Sequence, residues 1–314
     1  MSARAWAAFA AVSTLWGIPY MLIKVGVDDG VPPVFLAWVR VVVGAAVLLV
    51  FAPRAEVLRA FRSRARWLAV FAAAEIVVPF TLLGFGEQHI SSSLTAILIA
   101  AAPMFVAVLA LRFDVSERIG GRRLVGLVLG LAGVAALVGI DVAGRPDELF
   151  GVTAVLGAAF CYAVGPMVLK RHLADLDPRA SMAASLVLAA VFLAPAAALD
   201  PPAAVPSVAA IAALLGLGLF CTAAALVLYG TLVAEVGAGR ALVITYVNPV
   251  VAVALGTAVL GERPGPGAAV GLLLILTGSW LSTGGGVPTR RKAGQKAERE
   301  GDQGPEQVAV RTVV

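Results

Sequence analysis

The chain has 314 residues, of which 60% are hydrophobic and only 14% charged, and its formal net charge is +5. Soluble domains carry about 25% charged residues, so a soluble fold of this length could not bury so much apolar surface. The basic residues lie in short loops and a tail rather than on one face, which argues against a nucleic-acid-binding protein. The composition therefore indicates a membrane protein.

Apolar stretches of about 20 residues recur along the whole chain, and a helix needs this length to cross the hydrocarbon core. Turn and charged sequences separate them, for example Asp28–Gly30, the arginine-rich run from Arg54 to Arg66, and Asp200–Pro202. The fold class predicted is an all-α membrane protein of ten transmembrane helices. The predicted spans are residues 6–26, 33–52, 67–86, 91–113, 121–140, 150–169, 181–199, 207–230, 239–260 and 266–284.

Basic residues are unequally divided between the two sides that ten spans create. With the N-terminus inside, twenty lysines and arginines fall on the inner side, and only Lys24, Arg145 and Arg263 fall outside. Because cytoplasmic loops retain positive charge, we expect both termini on the cytoplasmic side of a bacterial inner membrane. The polar segment 285–314 is predicted to be a disordered cytoplasmic tail.

The two halves of the chain match each other in sequence after a shift of about 146 residues. Lys24 then aligns with Lys170, and Pro103 aligns with Pro249. Each half, 6–140 and 150–284, holds five predicted spans, and an odd number places the second half upside down. Inverted repeats are typical of secondary transporters, which bind substrate at the repeat interface.

Several sequence features occur in the order found in one known family. They are Trp16-Gly17 with Tyr20 and Lys24, then Arg40, Pro103, Pro249 and Gly261-Glu262. In this order the chain resembles the EamA family of the drug/metabolite transporter superfamily, with two EamA repeats over residues 6–284. Asp114–Glu117 departs from the Gly-Glu pair that is more usual there. The resemblance implies a secondary transporter, with export as the favoured direction, for metabolites, amino acids or drugs, and leaves the substrate open.

Arg40 and Glu75 are the ionisable residues predicted to lie well inside spans, where a charge is costly. Their predicted depths differ by roughly 6 Å at 1.5 Å per residue, which an arginine side chain can reach. We therefore predict that they interact. The pair is either a structural lock between the second and third spans, or Glu75 is a proton-coupling or substrate-amine site.

Three prolines are predicted to interrupt their helices. Pro79, Pro103 and Pro249 remove the hydrogen bonds to the carbonyls four residues earlier, and matched breaks in two halves point to a transporter site. The alternative is that they only shape helix packing. Aromatic and polar residues predicted to complete the cavity are Trp16, Tyr20, Tyr162, Tyr229, Thr245, Tyr246 and Asn248. For each of these, packing or anchoring at the membrane interface is the alternative.

Catalytic and metal-binding signatures are missing from the sequence. The two histidines, His89 and His172, belong to no HExxH motif, and no GxSxG motif or phosphate-binding loop is present. We expect no metal, no cofactor and no enzyme activity. A polytopic membrane enzyme and a channel or lipid flippase remain as alternative functions. The expected partners are a small-molecule substrate and the lipid bilayer, not nucleic acid, and a homodimer is left open.

Overall fold

The computed structural model describes residues 2–113, 121–142, 144–236 and 244–282, and their regular secondary structure is helical. The helices in these ranges are numbered α1 to α10. They are α1 (Ala3–Asp28), α2 (Pro33–Phe51), α3 (Arg54–Glu87), α4 (Ser92–Ile99 and Ala102–Phe113), α5 (Gly121–Leu137 and Val138–Val142), α6 (Pro146–Leu173), α7 (Pro178–Leu199), α8 (Val208–Gly216, Leu217–Ala224 and Ala225–Val236), α9 (Ile244–Val259) and α10 (Pro266–Ser282).

In the described ranges, α1 to α8 are long and apolar enough to cross a membrane. Helices α9 and α10 are apolar but shorter. Residues 237–243 and 283–314 lie outside the described residues, and so does the segment 114–117. The structure therefore confirms an all-α membrane protein, while the number of ten spans and the cytoplasmic tail stay predictions.

The arginine-rich run is itself helical, and the chain kinks at Arg64, close to the predicted start of the span at residue 67. Helix α3 begins at Arg54 and extends over 34 residues, with non-helical backbone angles at Arg64 (φ −136°, ψ 21°). Arginine, alanine and leucine are good helix formers, and Arg59 pairs with Glu56 at 3.4 Å on the same helix. The polar turns from Arg54 are therefore helical and join the apolar part of α3 at the kink at Arg64.

Contacts between helices follow a two-fold pattern, in which each helix of the first five corresponds to one of the second five. Helix α1 contacts α8 and α9, and its counterpart α6 contacts α3 and α4. Helix α2 contacts α8, and its counterpart α7 contacts α3. Three further pairs, α2–α7, α4–α9 and α5–α10, join a helix to its own counterpart. This is the pattern expected of two repeats related by a two-fold axis.

Glycines bring α5 and α10 together, as the small residues in these spans predict. A Cβ atom on Gly278 would lie 2.6 Å from the Gly126 carbonyl oxygen and 2.7 Å from the Gly130 Cα. A Cβ atom on Gly271 would lie 3.1 Å from the carbonyl oxygen of Gly133. The backbones of the two helices are therefore in direct contact.

One end of the bundle is rich in acidic residues and is called the acidic end. It contains Asp28, Asp29, Glu87, Asp141 and Glu262. Here the Glu262 carboxylate accepts hydrogen bonds from the backbone N–H groups of Ser92 (2.8 Å) and Ser93 (3.0 Å) at the start of α4. Asp141 caps α10 in the same way through the N–H of Ala268 at 2.6 Å. Both carboxylates satisfy free N–H groups at a helix N-terminus.

The opposite end of the bundle is basic, and here too the first and second halves of the chain contact each other. Arg64 of α3 donates to Asp175 at 2.9 Å, and Trp67 stacks on His172 with ring centroids 3.4 Å apart. Arg64 lowers the pKa of the exposed Asp175 carboxyl through a side-chain hydrogen bond. Contacts between the halves therefore exist at both ends of the bundle.

Candidate functional site

The third helix of each half carries a π-helical segment at a matching position. These segments are Ala73–Val77 in α3 and Leu217–Ala224 in α8. A π turn holds one extra residue, which turns the residues beyond it towards a different side of the helix. Such turns are frequent at functional sites. Pro79 signals the first segment, because it cannot donate to the Glu75 carbonyl. The second segment contains no proline and gives no comparable sequence signal.

Arg40 lies in the interior of the bundle and is only 6% exposed. Its Nε donates to the Thr222 hydroxyl at 3.0 Å, and its guanidinium lies 3.7 Å from the centre of the Phe80 ring. Thr222 belongs to the π segment of α8 and donates in turn to the carbonyl of Leu217 at 2.9 Å. Arg40 thus joins α2, α3 and α8.

Glu75 lies in the π segment of α3 and packs against Gly165 of α6. A Cβ atom on Gly165 would overlap the Glu75 Oε2 atom and lie 2.9 Å from its carboxyl carbon. Glu75 Oε2 is buried and has no hydrogen-bond partner among the described residues. Only a glycine at position 165 leaves room for this carboxylate.

The predicted contact between Arg40 and Glu75 is wrong. Arg40 is directed to Thr222 and Phe80, Glu75 to α6, and neither takes part in an ion pair within the described ranges. Depth along a helix axis follows from residue counting, but direction around the axis does not. One extra residue in the π turn rotates the later positions by about 100°, so Phe80 rather than Glu75 meets the guanidinium.

Two tyrosine side chains lie near these charged groups. Tyr162 is within electrostatic range of both Arg40 and Glu75, and Tyr20 is within range of Arg40. Tyr20 is buried and Tyr162 half-buried. Tyr20, Arg40, Glu75, Tyr162 and Thr222 are called the central polar cluster. The structure therefore brings four predicted site residues together and adds Thr222, which the sequence analysis missed.

Two further predicted residues meet nearer the basic end of α1. The Trp16 and Tyr229 rings lie 4.9 Å apart. Tyr229 is also within electrostatic range of Glu75, which places this aromatic pair beside the central polar cluster.

Helix α9 contributes the remaining predicted residues, Thr245, Tyr246 and Asn248, all half-buried. In the amide orientation that satisfies both side-chain atoms, Asn248 donates to the carbonyls of Ser13 at 3.1 Å and Ile244 at 2.8 Å. Asn248 therefore holds α9 against α1, which is a packing role.

The proline predictions have different outcomes. Helix α4 is interrupted between Ile99 and Ala102, directly before Pro103, and the hydroxyl of Ser279 in α10 donates to the freed region at the Ala100 carbonyl, at 2.8 Å. This contact favours the packing alternative for Pro103. Pro249 lies inside α9, which runs through it without interruption over Ile244–Val259.

Two hollows of about 450 and 500 Å³ lie at the surface. Arg59 and Arg62 line the first, and Phe35 with residues 202–206 lines the second. Neither hollow includes a residue predicted to line the substrate cavity.

Two of the serines beside His89 make hydrogen bonds at the start of α4. The Ser91 hydroxyl accepts from the N–H of Leu94 at 3.2 Å, the Ser93 hydroxyl donates to Glu262, and His89 Nδ1 contacts the Phe85 carbonyl at 2.9 Å. These contacts describe a helix N-terminus rather than a nucleophile–base pair. In the described ranges, no three histidine, cysteine, aspartate or glutamate side chains group as a metal site would require.

Comparison with known proteins identifies a transporter family. Residues 4–139 and 149–284 each match the EamA-like transporter family. A solved crystal structure with 18% identity superimposes with a TM-score of 0.59 over 90% of this chain and 97% of its own length, which shows a shared fold.

Relatives with named functions are transporters or exporters. A protein of Streptantibioticus cattleyicolor named "Probable terminal-alkyne amino-acid exporter" is 29% identical over 95% of this chain and 99% of its own length. The "Probable amino-acid metabolite efflux pump" of Escherichia coli is 25% identical over 87% and 93%, respectively. An inner membrane transporter of Escherichia coli is 29% identical over 81% and 82%. The chain is thus a multi-pass membrane transporter and not an enzyme, and it belongs to the EamA-like transporter family.

Proposed function

We propose that the protein is a secondary transporter that exports small molecules carrying both an amino group and a carboxylate. The observation that carries this proposal is that Arg40 and Glu75, both within electrostatic range of Tyr162 in the bundle interior, form no ion pair with each other. The two charges do not neutralise each other. A zwitterionic ligand that contacts both would compensate the desolvation cost of each charge.

The two charged groups suit the two ends of such a ligand. A guanidinium binds carboxylates through paired N–H donors, and Arg40 uses only its Nε among the hydrogen bonds of the described residues. The unpartnered Glu75 Oε2 can accept from an ammonium group. The names of the two exporter relatives both concern amino acids and support this substrate class.

Alternating access at the interface between the repeats is the mechanism we propose. The ten helices form two inverted five-helix repeats, both termini lie in the cytoplasm, and the acidic end faces outward. The contacts between the halves at the acidic end and at the basic end then open alternately. Each opening exposes the central polar cluster to one side of the membrane. The two-fold contact pattern and the distribution of basic residues support this arrangement.

Counterflow in proteoliposomes tests the proposal. Vesicles loaded with one unlabelled compound are diluted into its labelled form, and amino acids, other metabolites and cationic dyes are compared. We expect amino acids to accumulate label transiently, which a carrier produces and a channel does not. Arg40→Lys should lose this exchange, whereas the exposed control Arg59→Lys should keep it. Counterflow of dyes alone would contradict the substrate class.

A further inference from the structure

Glu87, the last residue of α3, is a buried acid that the central polar cluster does not include. Its exposed fraction is 0%, and neither carboxylate oxygen has a hydrogen-bond partner in the described part of the chain. A glutamate at the end of an apolar stretch is ordinarily solvated, so the sequence carries no signal of this burial.

The neighbouring acids differ from Glu87 because each has partners. Glu262 accepts from the backbone of Ser92 and Ser93, and Asp28 accepts from Lys24 at 2.7 Å. Lys24 also donates to the backbone carbonyl of Glu87 at 3.0 Å. The ammonium group closest to Glu87 is thus engaged by Asp28 and by the main chain.

Charged and titratable groups approach Glu87 from several elements. Lys24, Asp28 and Tyr20 come from α1, Arg40 from α2, and Glu262 from the segment after α9. His89 follows in the same chain segment and bonds the Phe85 carbonyl. On the side of α6, Gly151 and Val155 pack against the neighbouring Gly86. Glu87 is therefore enclosed, with a second carboxylate among its neighbours.

An ionised carboxylate in this setting is strongly disfavoured. Burial without hydrogen bonds costs an anion far more than a neutral acid. Lys24, which is engaged by Asp28, offsets only part of this cost, and the Glu262 carboxylate adds like-charge repulsion. The neutral, protonated acid removes both costs. Opening of the acidic end to water would remove the reason for protonation.

We propose that Glu87 is a proton-binding site whose occupancy follows the opening of the acidic end. With that end closed, a carboxylate oxygen of Glu87 holds the proton. When the end opens, the O–H bond breaks and the proton passes to water on that side. Closure takes up one proton from the same water. The proton site lies outside the central polar cluster and rests on the proposed alternating access.

Infrared spectroscopy of the purified full-length protein tests the site without any substrate. The C=O stretching band of protonated carboxyl groups is followed as the pH is raised. Cysteines replacing Asp29 and Ser207 can lock the acidic end, because the Asp29 carboxylate accepts from the Ser207 N–H at 2.8 Å across it. Cys161 and Cys221 are replaced by alanine throughout.

Three results are expected. In the oxidised, locked protein, a carboxyl band persists to higher pH than in the same protein after reduction. Glu87→Gln abolishes this component in both forms. The control Glu262→Gln keeps this component but lets it titrate at a lower pH, because it removes the like-charge repulsion. Glu75→Gln keeps the component unchanged.

Two results would overturn the site: a band that survives Glu87→Gln, or titration that is identical in the locked and reduced proteins. Should Glu87→Gln fail to fold, Glu87→Asp shifts the frequency of the component if the proposal is correct and leaves it unchanged if not. Because no transport is measured, failure of the proposed substrate class would not affect this outcome. Loss of counterflow with an intact Glu87 band would count against the proposed function alone.

Discussion

Arg40 is the residue on which the interior depends most. Its guanidinium has five N–H donors, and the contacts it makes in the described ranges are one hydrogen bond to Thr222 and the face of Phe80. Both partners lie on or next to a π segment. The irregular backbone of α3 and α8 therefore determines how this buried charge is stabilised and leaves donors for a ligand.

Replacing Thr222 by valine should destabilise the protein, because it removes the Arg40 partner while keeping the side-chain shape. Loss of a hydrogen bond to a charged group costs about 1.5–3 kcal/mol. Thermal unfolding in detergent measures the effect. The control is Thr231→Val in the same helix, whose exposed hydroxyl only bonds the Val227 carbonyl. Equal unfolding temperatures for the two variants would contradict the role of Thr222.

Gly165→Ala should displace the Glu75 carboxylate and weaken amino-acid counterflow, because the added methyl group occupies the position of Oε2. Gly157→Ala in the same helix is the matched control, since its Cβ atom would lie 3.3 Å from a Leu82 methyl group and require little adjustment. Counterflow assays of both variants check this. Full activity of Gly165→Ala would show that the position of Glu75 is not needed.

At the scale of the helices, the sequence predicts more than it does for side-chain contacts. Apolar length locates the helices, and the interruption of α4 directly precedes Pro103. The π segment of α8 contains no proline. Instead, the Thr222 hydroxyl donates to the Leu217 carbonyl within its wide turn, and no residue in the sequence signals this. The direction of a side chain around each helix depends on such turns and on packing, so the partner of Arg40 could not be predicted.

Gly278→Ala should push α5 and α10 apart, because its Cβ atom would meet the backbone of α5, which cannot turn away as a side chain can. Overpacking of this kind typically costs 1–3 kcal/mol. Thermal unfolding again provides the measurement. Gly139→Ala in the last turn of α5 is the control, since nothing lies within 4 Å of its Cβ position. An unchanged unfolding temperature for Gly278→Ala would contradict the close contact.

For the whole molecule, the pattern of contacts between helices agrees with the internal sequence repeat. The shift that aligns Lys24 with Lys170 also aligns α1 with α6 and α3 with α8. In the structure α1 contacts α8, and α6 correspondingly contacts α3. The shared cavity at Pro103 and Pro249 finds less support. Ser279 of α10 packs against the break beside Pro103, and α9 is continuous at Pro249.

The orientation gives a labelling pattern. Single cysteines replacing Asp29 or Asp200 should react with a membrane-impermeant maleimide in intact cells, because we place the acidic end outside. Cysteines replacing Arg62 or Lys292 should react only after the membrane is permeabilised. Both sets are made in protein lacking Cys161 and Cys221. Labelling of the second set in intact cells would reverse the orientation.

The most direct test of the proposed site compares three competitors of labelled amino-acid counterflow: the parent amino acid, its deaminated acid and its decarboxylated amine. In the wild-type protein, each truncated analogue should compete roughly ten- to hundredfold less well, because a charge-assisted hydrogen bond is lost. In Glu75→Gln, the deaminated acid should compete as well as the parent, while the amine stays weak. If the deaminated acid shows the same disadvantage in Glu75→Gln as in the wild type, Glu75 does not bind the amino group and the proposed site is wrong.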